Sequence, residues 1–177
     1  MIDKAIRIAA IAHKDQSRKG SDVPYISHPF SVGMILAQEG CSDEVIAAGI
    51  LHDTVEDTEL TPDDIKRQFG QKVADIVMGC SEPDKSLSWE ERKRHTLEAL
   101  KAAPDEIRLV SCADKLQNVR SMIEDYSAIG EELWTKFKRG KEQQEWYYRG
   151  IIESLSHGKP FPLVEKLREE VDRLFAK

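Results

Sequence analysis

The chain has 177 residues, 33% of them charged, and a formal net charge of −6. That length suits one domain with its own core, and the acidic balance argues against nucleic-acid or acidic-membrane partners. Cys41, Cys80 and Cys112 are too few and too scattered for a disulfide framework or a thiolate zinc site. No run approaches the roughly 18 apolar residues of a membrane span, and the N-terminus lacks a signal-peptide core, so the cytoplasm is the expected location.

The dominant period is helical, and strand-like alternation is scarce. Ile2, Ala5, Ile6, Ala9 and Ala12 predict an amphipathic first helix to about Lys14. The polar stretch 16–24, with Gly20 and Pro24, reads as a loop carrying the adjacent cations Arg18 and Lys19. Pro29 suits the first position of a second helix, which runs to Gly40 and leaves His28 at its mouth. Ser42 caps a third helix, with Asp43 and Glu44 in its first turn, that leads through Ile50 and Leu51 into the pair His52-Asp53. Thr61-Pro62 opens a fourth helix closed by Gly70, and Val73, Ile76 and Val77 mark a fifth. Ser88 and Glu91 form a capping box for a sixth, ending before Pro104. From Asp105 a seventh carries Ile107, Leu109, Val110, Leu116 and Val119, its apolar pattern interrupted near Asp114. Two more helical segments are expected at roughly 131–156, with a break at Gly140, and at 162–175. The expectation is one all-α domain over residues 1–177, a helical bundle of about eight to ten helices.

Polar side chains cluster where helices otherwise bury apolar ones. In the octapeptide Leu51–Thr58, continued helix would set Glu56 one turn after His52 and Asp57 one turn after Asp53. Both members of the His-Asp pair can then reach one divalent ion, with two acids a turn further on. Asp114 and Asn118 likewise share a helix face. Taken singly each cluster has a plain account: His28 as a cap, Asp114 as a surface acid paired with Lys115 or Arg120, His52-Asp53 as a helix end.

Together they resemble something more specific. The order His28, His52-Asp53, Asp114 on separate helices resembles the HD-domain metal-dependent phosphohydrolases. The blocks Arg18-Lys19, Pro24-Tyr25-Ile26-Ser27-His28-Pro29, Leu51–Thr58, Phe69-Gly70 and Ala113–Arg120 are similar, in order over about residues 1–125, to the hydrolase domain of the RelA/SpoT family. A chain of this length is similar to the small alarmone hydrolases; residues 126–177 would be C-terminal helices.

That resemblance implies a divalent metal, usually manganese, on His28, His52, Asp53 and Asp114. Two imidazoles and two carboxylates also suit other divalent first-row ions such as zinc, iron or cobalt. The ion would act as a Lewis acid on a phosphoryl oxygen and lower the pKa of a water. Glu56 and Asp57 match the family's catalytic acids. Arg18 and Lys19 match its basic pair, Asn118 and Arg120 match positions implicated in nucleotide binding and in orienting the metal-site helix, and Lys115 is a phosphate candidate. Gln117 departs from the usual aromatic or histidine, which bears on nucleotide contacts and leaves the metal ligand untouched.

The implied reaction is hydrolysis of a small-molecule nucleotide, guanosine 3′,5′-bis(diphosphate) or its pentaphosphate relative, at the 3′ pyrophosphate. The alternatives are an HD phosphohydrolase acting on another nucleotide or a phosphorylated nicotinamide cofactor, and a guanine-nucleotide binding module without turnover. His13, His95 and His157 read as surface or satisfied polar residues, and the run Lys136–Lys141 as a solvated face. Trp146, Tyr147 and Tyr148 read as core more readily than as a wall against a base. Arg92, Lys93 and Arg94 look similar to basic residues in small alarmone hydrolases, but no motif assigns them.

Overall fold

The computed structural model describes residues 1–82 and 86–176. Among them the chain is all-α: α1 (Ile2–Ala12), α2 (Ser27–Gln38), α3 (Asp43–Leu51), α4 (Thr54–Asp57), α5 (Pro62–Phe69), α6 (Gln71–Cys80), α7 (Trp89–Ala102), α8 (Asp105–Ile129), a 3-10 segment (Gly130–Lys136), α9 (Lys141–Leu155) and α10 (Pro162–Phe175). The capping boxes form as expected, Thr61 with Asp64 on α5 and Ser88 with Glu91 on α7.

The axis of the fold is α8, which packs against α2, α3, α6, α9, α10 and the 3-10 segment. Its buried residues run from Arg108 through Ala113, Leu116 and Val119 to Ile123, so the polar interruption near Asp114 does not break the helix. Those polar groups meet partners in an internal cavity instead of water. On one side α3 lies between α1, α2 and α6; on the other, α10 buries Leu163, Leu167, Val171 and Leu174 against α8 and α9. Each such leucine or valine contributes about 1.5–3 kcal/mol through removal from water.

Three boundaries differ from expectation. Helix α2 begins at Ser27, so His28 lies inside its first turn. Pro29 still costs no hydrogen bond there, because the first amides of a helix have no partner within it. Helix α3 stops at Leu51, and His52 and Asp53 form a right-handed turn into α4. Residues 130–136 form a 3-10 segment because Gly130, at φ +59, turns the chain out of α8. Gly140 then caps α9.

The approach of α2 to α3 is what brings the histidines together. A Cβ at Gly33 would strike Ile50, and one at Gly49 would strike Leu36, so the two helices lie in close contact. Across that contact the rings of His28 and His52 stand 5.3 Å apart. The loop before α2 is tied as a small hairpin. Ser17 bridges Pro24, the Arg18 amide donates to Val23 O at 2.8 Å, and Gly20 turns the chain at φ +73.

Candidate metal centre and adjoining cavity

His28 comes from α2, His52 and Asp53 from the turn after α3, and Asp114 from the middle of α8. His28 Nε2 is 3.2 Å from Asp114 Oδ1 and 3.6 Å from Asp53 Oδ2. His52 Nε2 is 3.1 Å from Asp53 Oδ2 and 3.7 Å from Asp114 Oδ1. Donors bonded to one ion at about 2.0–2.2 Å sit roughly 3.0–3.5 Å from each other, close to these histidine–aspartate distances. Among the described residues, one ligand atom each of His28, His52 and Asp114 lies within 4.8 Å of the others, a group that does not include Asp53.

The surroundings prepare these atoms to ligate. His52 Nδ1 donates to the carbonyl of Gly49 at 2.7 Å, which leaves the Nε2 lone pair for an ion. That Nε2 is buried and makes no hydrogen bond among the described residues, an arrangement costly without an ion. Burial opposes charge on His52, but Asp53 and Asp114 beside it raise its pKa well above the usual imidazole range. Burial pushes both aspartates up, yet neighbouring cationic groups hold them low: His52 for Asp53, Lys115 and the histidines for Asp114. A divalent ion would take over this compensation. The residues present therefore fit a metal with nitrogen and oxygen ligands.

Several orienting groups come from residues that the sequence patterns left without this role. Tyr25 OH donates to Asp53 Oδ2 at 2.6 Å. Burial, followed by Asp53, drives the Tyr25 pKa upward, so the phenol keeps its proton for that bond. Gln117 Oε1 accepts from His28 Nδ1, leaving Nε2 for the metal. The expectation that Gln117 bears on the nucleotide alone is thus incomplete, since it stands directly behind a candidate metal ligand. Replacing Gln117 with leucine is expected to lower metal affinity about 10–100-fold, as loss of such a buttress does. Competition with a calibrated chelator measures this, and unchanged affinity would contradict the role.

Asn118 Nδ2 donates to Asp114 Oδ1 at 2.7 Å and accepts from Arg18 Nη2 at 3.1 Å through its own Oδ1. Lys115 Nζ donates to Asp114 Oδ2 at 2.7 Å, and burial is outweighed there by Asp114, which raises the lysine's pKa. A cavity of about 280 Å³ contains the metal residues with Glu56, Glu82, Arg92, Lys93, Lys115 and Tyr147. A second, of about 530 Å³, contains Arg18, Lys19, Gln117, Lys136, Phe137 and Tyr148. Tyr25 and Asn118 line both, so they form the wall where the cavities adjoin.

Glu56 faces the metal cavity, with its Oε2 accepting the Glu82 amide at 3.2 Å. Asp57 is exposed and lines a groove beside α1, although its field reaches Tyr25. Its backbone carbonyl accepts from Gln16 Nε2 at 2.7 Å. Arg120 reaches neither cavity. It lies about 240° round the helix from Asp114 and pairs with Glu170 of α10 at 3.5 Å.

Other expectations also shift. Of the two readings of His13, the structure takes the buried one: its Nδ1 meets Gln16 Oε1 at 2.7 Å and its ring lies 4.9 Å from Tyr25. Lys136 lines the larger cavity and pairs with Asp125 at 3.0 Å, which removes it from the expected solvated face. Tyr147 and Tyr148 are buried and wall the two cavities, while Trp146 is exposed.

The HD-domain family pattern matches residues 5–139. The guanosine-3′,5′-bis(diphosphate) 3′-pyrophosphohydrolase MESH1 of Danio rerio is 37% identical over 169 residues, covering 94% of this chain and 89% of that one. A crystal structure of a Listeria monocytogenes EGD-e protein superposes with a TM-score of 0.80 at 41% identity, covering 85% of this chain and 99% of that one. A solved structure described as a metazoan ortholog of SpoT that hydrolyzes ppGpp gives 0.80 at 30% identity, covering 97% and 93%. The chain therefore belongs to the HD-domain family, and within it groups with the MESH1 and SpoT relatives.

Proposed function

We propose that this protein is a cytoplasmic, metal-dependent phosphohydrolase that removes the 3′ pyrophosphate from guanosine 3′,5′-bis(diphosphate) or its pentaphosphate relative, leaving GDP or GTP. The observation that carries this reading is the joining of two unlike cavities at Tyr25 and Asn118, one built for a metal and one lined by cations and aromatic rings. A guanine nucleotide with phosphates on two arms needs both environments at once. The activities of the relatives named above point the same way. Among the described residues no helix is long and apolar enough to cross a membrane.

His28, His52, Asp53 and Asp114 would hold the ion, with manganese the first choice for this mixed imidazole and carboxylate set. When bound, it supplies Lewis acidity toward a phosphoryl oxygen. The chain supplies the rest. Arg18 stands 5.8 Å from the Tyr25 ring and bonds to Asn118, which places a planar cation for stacking on the base. Lys19 and Lys136 meet the 5′ phosphates. Lys115 holds Asp114 by Oδ2 and directs its other oxygen toward the histidines.

The oxygen of water bonds to the phosphorus of the 3′ diphosphate as the bond from that phosphorus to the 3′ oxygen breaks. We assign the proton from water to the Glu56 carboxylate, which returns it to the departing 3′ oxygen. Asp57, the second acid of the pair, faces the groove beside α1, and no proton step is assigned to it. Arg120, paired with Glu170, supports α8 and α10 outside the cavities.

Purified protein loaded with manganese is expected to release pyrophosphate from guanosine 3′,5′-bis(diphosphate) with higher kcat/KM than phosphate or pyrophosphate from nucleoside triphosphates or phosphorylated nicotinamide cofactors. A different preferred substrate would redirect the assignment to that nucleotide. Tight nucleotide binding with no turnover by fully loaded protein would overturn it in favour of a binding module.

A further inference from the structure

Arg92 and Lys93 are adjacent residues near the start of α7, where cations oppose the positive end of the helix dipole. Both nevertheless turn inward to line the metal cavity, and both close on one carboxylate. Arg92 Nη1 meets Glu82 Oε2 and Lys93 Nζ meets Glu82 Oε1, each at 2.5 Å. The triad is mostly covered, with side-chain exposures of 24% for Arg92, 18% for Lys93 and 13% for Glu82. Arg92 Nε is buried without a hydrogen-bond partner among the described residues. Lys93 Nζ also lies 4.8 Å from the centre of the Tyr147 ring, on the cavity wall.

A covered ion triad is a poor device for stability, because desolvation consumes most of its Coulomb attraction. Its geometry is that of an anion site: a guanidinium and an ammonium converge on two oxygens of one planar anion beside the metal ligands. Glu82 is tied to the reaction's carboxylate as well, since its amide donates to Glu56 Oε2 at 3.2 Å.

Resting on the function proposed above, we infer that Arg92 and Lys93 bind the terminal phosphoryl group of the departing 3′ diphosphate, and that Glu82 occupies their donors as a counter-ion while the site is empty. The distal phosphate then displaces the carboxylate and takes over its two cations. This makes the pair a specificity element for a diphosphate over a monophosphate on the 3′ arm. Lys115 is held at 2.7 Å by Asp114, itself a candidate metal ligand, whereas among the described residues of this cavity Arg92 and Lys93 share Glu82, a carboxylate outside the ligand set that an incoming phosphate can replace.

The test is calorimetric titration of inorganic pyrophosphate into metal-loaded protein, with metal content and thermal denaturation checked for every variant. Arg92→Gln and Lys93→Gln are each expected to weaken pyrophosphate binding about 10–100-fold, the usual loss for one charge-assisted hydrogen bond. Glu82→Gln is expected to tighten it several-fold by removing the competing charge. In turnover, the two cation variants should lose more kcat/KM on guanosine 3′,5′-bis(diphosphate) than on guanosine 5′-diphosphate 3′-monophosphate. Arg92→Lys, which keeps the charge and the fold, should restore part of the pyrophosphate affinity. Unchanged pyrophosphate affinity in Arg92→Gln and Lys93→Gln overturns the inference, and weaker binding in Glu82→Gln overturns the counter-ion role. Pyrophosphate binding requires no turnover. A chain that binds it through these residues but leaves guanosine 3′,5′-bis(diphosphate) intact would thus refute the proposed substrate and keep the anion site.

Discussion

Replacing His52 or Asp53 with alanine is expected to lower kcat/KM for pyrophosphate release by on the order of 10³-fold or more, together with loss of stoichiometric metal. Several kcal/mol of charge stabilisation leave with the ion, and each 1.4 kcal/mol or so is a factor of ten in rate. For His52 the effect has no local remedy. Its Nδ1 is committed to Gly49 O, so one nitrogen is presented to the site, and the ring is buried where no other imidazole but His28 approaches. Asp53→Ala removes a ligand and also strands the Tyr25 hydroxyl, which now donates to Asp53 Oδ2. Both variants should keep the helical fold, because Val45, Ile46, Ile50 and Leu51 still anchor α3 in the core. Initial rates, metal analysis and circular dichroism on the same preparations check each part. A folded variant that retains metal and turns over within about tenfold of the parent would refute the assignment of these ligands.

Arg108→Met should be a strongly damaging change away from the site, costing about 3–5 kcal/mol of stability, since two carbonyls lose their donor at about 1–3 kcal/mol each and the guanidinium leaves its place beside Phe161. Arg108 is 1% exposed, yet it carries a full charge at the start of α8. Its guanidinium donates to Leu155 O and, at 3.3 Å, to Lys159 O, carbonyls at and beyond the end of α9. It also pairs with Asp105 at 3.0 Å and lies 5.3 Å from the centre of the Phe161 ring. One cation thus satisfies the end of α9, the loop to α10 and the first turn of α8. Methionine fills the volume of the stem but leaves those carbonyls without a donor. For a chain of this size, about 2–4 °C of Tm accompanies each kcal/mol, so a fall of roughly 6–20 °C is expected in thermal denaturation. Gly158→Ala should shift Tm in the same direction, since a Cβ there would run into the guanidinium. A change below about 1 kcal/mol in Arg108→Met would show that the carbonyls find other donors.

Helix positions were largely legible in the sequence because each rests on neighbours in the chain: the Ser88 and Glu91 box, Thr61-Pro62, the stop at Gly70. Where this failed, at 130–136, a left-handed Gly130 ended α8 and a 3-10 turn followed, a change that helical spacing does not announce. The candidate metal donors His28, His52, Asp53 and Asp114 were nameable for a related reason. Imidazoles and carboxylates on otherwise apolar helices carry a desolvation cost that calls for an ion. The family resemblance supplied their grouping, and the fold brings their ligand atoms within 3.7 Å along each paired contact.

What surrounds those donors was decided by tertiary structure. Helical spacing already put Asn118 on the face of Asp114 and Arg120 about 240° round from it, but that Gln117 stands behind His28 and Arg120 turns to Glu170 was settled by packing. Glu56 and Asp57 are neighbours in sequence but face different cavities, because successive residues of the single-turn helix α4 point about 100° apart. Tyr25 meets Asp53 from 28 residues away, and Arg108 meets Leu155 from 47. Local spacing and caps were enough to locate the helices, and the resemblance to a known family was needed to group the candidate ligands. Only the packing of α2, α3 and α8 decided which side chains orient the metal donors, because those contacts join residues whose separation in the chain carries no periodic signal.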